Sequence, residues 1–271
     1  MQQLQQVRRL VPARYIPALV RWRLDKIWTD LEFRRTQEEQ MRFLLEHTER
    51  AAEIPELAHA YAEQMMLRAY LRWHPRAISR QRVRGIEWLT TRRDASRSIL
   101  VSFTHHHRYE GLWPSLSRAG APCKVLVTPE ITKPEAGIAF QQHLRVAGRG
   151  SEIVLAEGGT EAIAEMLQPG VRLAMAPDFP GRTPVTFLGR PVLGSFGTAR
   201  IATMTNSQVV LVTVRRDEAG PYVRVHEPLE PAEYADPGDL LADILQRHGE
   251  AILAWPEALE APTARFATVE P

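Results

Sequence analysis

Cysteine is all but missing from this 271-residue chain: Cys123 stands alone. That excludes a disulfide framework and a thiolate-rich zinc site, and nothing demands an oxidising compartment. Long apolar runs are missing too. No window approaches the roughly 18 residues that a membrane span needs, and the amino terminus lacks the uninterrupted apolar stretch of an export signal. Neither sign of charge dominates, since the formal balance is +2, and such a balance speaks against nucleic acid as a partner. There is no internal repeat and no low-complexity tract, and a content of 44% hydrophobic and 24% charged residues is ordinary for a globular protein. A cytoplasmic location is the default expectation.

The charge that is present is unevenly spread. From Met1 to Arg35 there are eight basic residues against three acidic ones. Arg8, Arg9, Arg14, Arg21, Arg23 and Lys26 are interleaved with Leu10, Tyr15, Leu19, Trp22 and Trp28. Basic residues mixed with tryptophan and aliphatic side chains suit a surface that touches anionic lipid headgroups. They equally suit a helix packed on the domain with a solvated arginine face.

Apolar positions at three- and four-residue spacing predict helices over 25–48 and 51–73, so residues 1–75 read as a helical segment punctuated by Pro12, Pro17, Pro55 and Pro75. From Val83 the pattern changes to short apolar runs alternating with helical stretches. Strands are predicted at 98–104, 124–128, 152–156, 172–176, 208–214 and 222–226, and helices at 109–117, 134–147, 160–168, 195–205 and 237–254. Alternation of this kind predicts an α/β domain over 76–260, with a central, mostly parallel sheet flanked by helices and an N-terminal helical extension. Residues 261–271 are expected to form a loosely ordered tail.

In such a sheet, sites gather beyond the carboxyl ends of the strands. The run Ser98 to Thr104 delivers His105 to such an end, and Glu110 follows five residues later as a helix begins. On one regular helix a five-residue step turns through about 140°. With His105 in the turn and Glu110 on the first helical residues, however, the carboxylate can reach back and fix the imidazole tautomer, leaving the other nitrogen to take a proton. The same offset from His106 and His107 lands on Gly111 and Leu112. Three adjacent histidines seldom converge on one ion, so no metal is expected. Asp178 and the group Glu157, Gly158 and Gly159 follow other strands and would share the same edge.

The order of these segments resembles the lysophospholipid acyltransferase superfamily, within it the late acyltransferases of lipid A biosynthesis and the phosphatidylinositol mannoside acyltransferases. The resemblance rests on His-x4-Glu at His105 and Glu110, then Val154 to Gly159, then Gly170 to Asp178. It continues through Phe187-Leu188-Gly189-Arg190-Pro191 and the helix Gly197 to Ala202. Arg108-Tyr109 and Phe179 stand where the family often carries Asn-Trp and a Gln or Arg. The resemblance implies transfer of an acyl group from acyl-CoA or an acyl carrier protein to a hydroxyl or amine. His105 would act as general base oriented by Glu110, with no other cofactor. A lipid, a glycolipid or a carrier-bound intermediate would be the acceptor, and the protein would be cytoplasmic or peripheral on the inner face of the cell membrane.

Arg145, Arg182 and Arg190 are candidate anion contacts, because guanidinium binds phosphate in a bidentate manner. Asp178 is a candidate for holding the Arg182 loop or touching the acceptor, and equally a turn-forming residue before Pro180-Gly181. Gly158 and Gly159 would let backbone approach a substrate. Phe103, Leu112, Trp113 and Phe196 are candidates for an acyl channel. Cys123 reads as a buried, inert thiol, and Ser102 lacks a nucleophile-elbow setting. Two other readings compete: a thioesterase-like hydrolase, in which water replaces the acceptor, and a non-catalytic lipid- or carrier-binding protein.

Overall fold

A computed structural model describes residues 7–91 and 96–268. Among the described residues ten strands appear in chain order: β1 (Arg82–Arg84), β2 (Ile99–Phe103), β3 (Lys124–Val127), β4 (Glu152–Leu155), β5 (Arg172–Met175), β6 (Thr183–Phe187), β7 (Arg190–Gly194), β8 (Gln208–Asp217), β9 (Gly220–Val225) and β10 (Ala267–Thr268). Seven form one sheet in the order β1-β9-β8-β2-β5-β3-β4. Pairing is parallel throughout except between β8 and β9, which form an antiparallel hairpin. The α/β class with a mostly parallel sheet is therefore as the sequence predicts. All five residues of the central strand β2 are buried, which is why it reads as a continuous apolar run rather than an alternating one.

Side chains alternate across the sheet and feed two cores. Leu100, Leu173, Met175 and Leu211 face one side, while Ile99, Val101, Phe103 and Val125 face the other. The longer helices are α1 (Ile16–Ile27), α2 (Leu31–Leu45), α3 (Ile54–Leu71), α4 (Leu112–Arg118), α5 (Ile138–Ala147), α6 (Gly159–Glu165), α7 (Gly197–Thr205) and α8 (Pro237–Ala254). Asp30 and Asp236 cap α2 and α8 by accepting from backbone N–H groups of the first turn. Pro17 and Pro55 sit in the first turns of α1 and α3, where a missing N–H costs nothing. The first 75 residues supply much of the core: Met41, Leu44, Leu45 and Tyr61 share a cluster with Leu100 and Leu173. Ile16 and Val20 of α1 pack against Tyr70, Leu71 and Val146.

A second sheet, β10-β7-β6, was not predicted. Its hairpin turns at Leu188 and Gly189, both with positive φ (51° and 78°), as a type I′ turn requires. The expectation of a loose tail from residue 261 is corrected as far as Thr268. Pro262–Arg265 forms a helical turn, Phe266 is buried and stacks on Phe187 (4.5 Å) and Phe43 (6.4 Å), and β10 pairs with β7. Residues 1–6 of the basic N-terminal segment and 269–271 of the tail lie outside the described residues. Among the described residues no helix is long and apolar enough to cross a membrane.

Candidate active site

β2 and β5 are neighbours in parallel register, Ser102 beside Met175, so the loops at their carboxyl ends leave the sheet side by side. One carries His105 and the other Asp178. The Asp178 carboxylate is fully buried and grips His105 at two points: Oδ1 lies 2.9 Å from Nδ1, and Oδ2 accepts the backbone N–H at 2.8 Å. An ionised carboxylate only accepts, so Nδ1 carries the ring proton and Nε2 is the basic nitrogen. Burial pushes the His105 pKa below its usual value against the opposing pull of Asp178. Burial alone would raise Asp178, but His105 beside it holds the carboxyl below the usual range. The pair at neutral pH is a neutral imidazole on a carboxylate, the state a general base needs.

Glu110 does not reach His105, which corrects the expected pairing. The three residues from Tyr109 to Gly111 form a single 3₁₀ turn leading into α4. There the Glu110 carboxylate is held by Arg68 on α3 (Nε 3.0 Å, Nη2 2.9 Å) and by Arg72 (3.2 Å), which caps the helix one turn later. His143 Nδ1 is 3.9 Å away. Although burial raises its pKa, Arg68, His143 and Arg72 together leave Glu110 well below the usual carboxylate range. Arg68 also meets Glu260 at 2.6 Å, and Arg265 meets the other Glu260 oxygen at 2.5 Å. These cations overcome burial to bring the Glu260 pKa down to about 2. A buried charge network thus ties α3, the histidine loop and the chain's last helical turn together.

The loop between His105 and Glu110 is clamped by the C-terminal segment. The N–H of His107 donates to the Ala258 carbonyl, and that of Glu260 to the His105 carbonyl. His107 holds φ at 51°, a left-handed conformation that its surroundings must enforce. His106 is buried with Nε2 2.8 Å from the Trp255 carbonyl, and the His107 ring packs on the Trp255 indole at 4.4 Å. Both serve the clamp.

A cavity of about 360 Å³ opens beside His105. Phe103, Trp113, Val125, Val127, Phe140 and Phe179 make its apolar walls, while Tyr109, His143, Arg72, Glu260 and Arg265 gather with His105 as its polar lining. No family model matches the chain, and no curated protein matches it in sequence. Among solved structures, the chain is similar to the 1-acyl-sn-glycerophosphate (LPA) acyltransferase PlsC from Thermotoga maritima. The two are 14% identical, and the match covers 90% of this chain and 98% of that one with a TM-score of 0.42.

Of the residues singled out in the sequence, His105, Phe103 and Trp113 line this cavity, Asp178 is buried behind His105 and bonded to it, and Glu110 lies outside the lining. The rest do not come to it. Gly158 and Gly159 follow β4, three strand positions from β2 and so roughly 14 Å across the sheet; their positive φ values start α6. Arg145 bonds Gln142 on its own helix, and Arg182 is exposed. Arg190 donates to the Phe43 carbonyl and pairs with Glu46 at 2.6 Å, fastening the β6–β7 hairpin to α2. Leu112 and Phe196 lie in the cores. Sequence reasoning missed Arg68, Arg72, His143, Glu260 and Arg265. The four-residue spacing of Arg68 and Arg72 was the available signal, but it looks the same on any solvated helix face.

Proposed function

We propose that the protein is an acyltransferase in which His105, oriented by Asp178, deprotonates a hydroxyl or amine acceptor. The acceptor then attacks the carbonyl of an acyl thioester whose chain lies in the apolar part of the cavity. The donor is acyl-CoA or an acyl carrier protein. The observation that carries this reading is the two-point His105–Asp178 grip at the wall of a cavity lined mostly by apolar groups. Attack proceeds without a covalent intermediate, because neither candidate nucleophile is equipped. The Cys123 thiol is pushed up to about 12 by burial, and the Ser102 hydroxyl, together with the His248 Nε2 that lies 3.0 Å from it, is fully buried and absent from the cavity lining. As the acceptor bonds to carbon, its proton passes to His105 Nε2, and the departing thiolate takes that proton back.

The N-terminal helices support peripheral contact with an anionic membrane as part of the same reading. α1 buries Ile16, Val20 and Leu24 but leaves Tyr15 and Trp22 exposed, with Arg14, Arg21 and Lys26 exposed beside them. Aromatic and basic groups on one exposed surface are what a headgroup layer accepts.

The test is thiol release and product mass from dodecanoyl-CoA and dodecanoyl-carrier protein, with lysophosphatidic acid, an alkyl glycoside or an alkyl amine as acceptor. Release that requires both acceptor and His105 supports transfer. Release without acceptor replaces it with hydrolysis, and a stable acyl adduct on the protein overturns direct attack. Binding without release at any pH leaves a carrier-binding protein.

A further inference from the structure

Two of the arginines that line the cavity carry N–H groups with no acceptor. Arg72 gives its Nη2 to Glu110 at 3.2 Å, while its Nε is buried without a partner and its Nη1 makes no hydrogen bond among the described residues. Its side chain is 17% exposed, and its backbone carbonyl is pinned by the Gln142 amide at 3.0 Å. Arg265 spends Nε on the Glu260 carbonyl and Nη2 on the Glu260 carboxylate, and its Nη1 likewise has no acceptor among the described residues. Both guanidiniums converge on Glu260: Arg265 sits on one oxygen at 2.5 Å, and Arg72 comes within 4.0 Å of the other. Donors left without acceptors are costly, and in a cavity wall the missing acceptor is one that a ligand supplies.

The charge points the same way. Arg68, Arg72 and Arg265 are paired only with Glu110 and Glu260, so three cations stand against two anions. Both Glu260 oxygens are engaged, Oε1 by Arg68 and Oε2 by Arg265 and the Tyr109 hydroxyl, and Glu110 lies outside the lining. Asp178 is fully buried on His105 and also outside the lining; once His105 takes a proton that pair is neutral, and the excess stays with the arginines. The excess lies close to the base. The Phe179 ring is 5.1 Å from that of His105 and 6.0 Å from the Arg265 guanidinium, and the Glu260 N–H bonds the His105 carbonyl at 3.0 Å. At about 360 Å³ the cavity is near the small end of ligand pockets, so an acceptor held inside it beside an acyl chain is small.

We propose that the acceptor is a small amino or hydroxy acid whose carboxylate is held by Arg72 and Arg265, so that the product is an N-acyl amino acid or an O-acyl hydroxy acid. The assignment rests on the acyl-transfer reading and names its acceptor. A guanidinium matches a carboxylate in geometry, and a single negative charge matches the excess. In an α-amino or α-hydroxy acid one carbon separates the nucleophile from the carboxylate, so binding the carboxylate on the arginines sets the nucleophile towards His105 Nε2. An amino acid first gives its ammonium proton to water. The neutral nitrogen, or the hydroxyl oxygen, then bonds to the thioester carbon as its proton passes to His105; the C–S bond breaks, and the thiolate takes that proton. The carboxylate is unchanged.

The experiment measures kcat and KM for the acceptor at a saturating level of the better dodecanoyl thioester, CoA or carrier protein. The acceptors are glycine, leucine and phenylalanine, the amide of each, lactate and its amide, 3-methylbutylamine and lysophosphatidic acid. The proteins are the unaltered chain, Arg72→Gln, Arg72→Lys, Arg265→Gln and His105→Ala. At least one acid should exceed its own amide in kcat/KM by about tenfold or more, the worth of a charge-assisted hydrogen bond. Arg72→Gln and Arg265→Gln should each raise the KM for that acid by about ten- to a hundredfold while the amide stays within about threefold, and Arg72→Lys should recover part of the loss. A fall for acid and amide alike marks a merely structural role and overturns the assignment, as do amides or the plain amine used as well as the acids by the unaltered protein; acyl transfer then stands without it. Preference for lysophosphatidic acid over every acid overturns the carboxylate. If no acceptor gives thiol release that depends on His105, the acyl-transfer reading falls and the proposed acceptor with it.

Discussion

Replacing Asp178 by Asn should harm turnover far more than replacing Glu110 by Gln, although Glu110 is the carboxylate in the short motif. Asp178 accepts two hydrogen bonds from His105, at the ring and at the backbone. An amide has one acceptor oxygen, so the substituted side chain either leaves one of these N–H groups facing its NH₂ or turns the ring tautomer. In the second case Nδ1 accepts, the proton sits on Nε2, and the base is lost. A wrong tautomer in a histidine–carboxylate pair costs about 10⁴ in kcat in the serine protease triad. Here a fall of about 10³–10⁴ is expected, equivalent to about 4–5.5 kcal/mol of barrier. Glu110→Gln acts elsewhere. It removes one of the two carboxylates on Arg68, whose side chain is only 7% exposed, and the nearer of the two on Arg72, while Glu260 stays 2.6 Å from Arg68. Losing a buried charged acceptor of this kind destabilises by about 1.5–3 kcal/mol. Because Glu110 anchors the loop that follows His105, kcat should also fall, by about ten- to a hundredfold. The assay is thiol release per folded molecule, with thermal melts of both variants. A Glu110→Gln protein that is less active per folded molecule than Asp178→Asn would refute the assignment of Asp178 as the orienting group.

The buried histidines make stability sensitive to mild acid. Burial lowers His106 to about 4 and His248 to about 3. Below about pH 6.5 the unfolded chain takes up protons that these two folded sites refuse, so the stabilisation is complete above that pH. It should decline by up to about 1.4 kcal/mol per pH unit for each group down to about pH 4. Urea midpoints that stay flat between about pH 6.5 and about 4.5 would contradict this. Cys123, buried with its thiol pushed up to about 12, should resist alkylation until the protein unfolds, and Cys123→Ala should transfer at the native rate; rapid labelling of the folded protein would refute the burial argument. Trp22, 55% exposed with Lys26 4.1 Å from its ring centroid, should contribute to co-sedimentation with phosphatidylglycerol vesicles. Trp22→Glu should weaken that binding at least about tenfold, and equal binding to neutral vesicles would remove the headgroup argument.

The parts of this molecule legible in the sequence are those set by burial of short segments. β2 and β5 lie between other strands and are covered on both faces, so they read as apolar runs. The rule that sites collect at the carboxyl ends of parallel strands then puts His105 and Asp178 on one edge. Which carboxylate meets His105 was not legible. Glu110 is five residues away and Asp178 is seventy-three, yet chain distance carries no information once two loops leave adjacent strands. The outcome was decided from a third direction, by Arg68 reaching Glu110 across 42 residues. The β6–β7 hairpin was hidden because Pro184 and Pro191 interrupt its strand pattern and Leu188 occupies a turn position usually held by Asn or Gly.

The same logic explains why the chain's last helical turn belongs to the site, although its sequence shows no periodicity. Phe266 inserts between Phe43 and Phe187 and anchors the segment. Glu260 and Arg265 are thereby brought to the cavity, and the Glu260 N–H bonds the His105 carbonyl. The base is therefore held from two sides. α3 acts through Arg68 and Glu110 on the loop after His105, and the C-terminal turn acts on His105 itself. Since Arg68 contacts both Glu110 and Glu260, loosening either side should disturb the same imidazole, that of His105. Coupling between Glu110→Gln and Phe266→Ala in kcat, beyond the product of their separate effects, is the signature of that shared network.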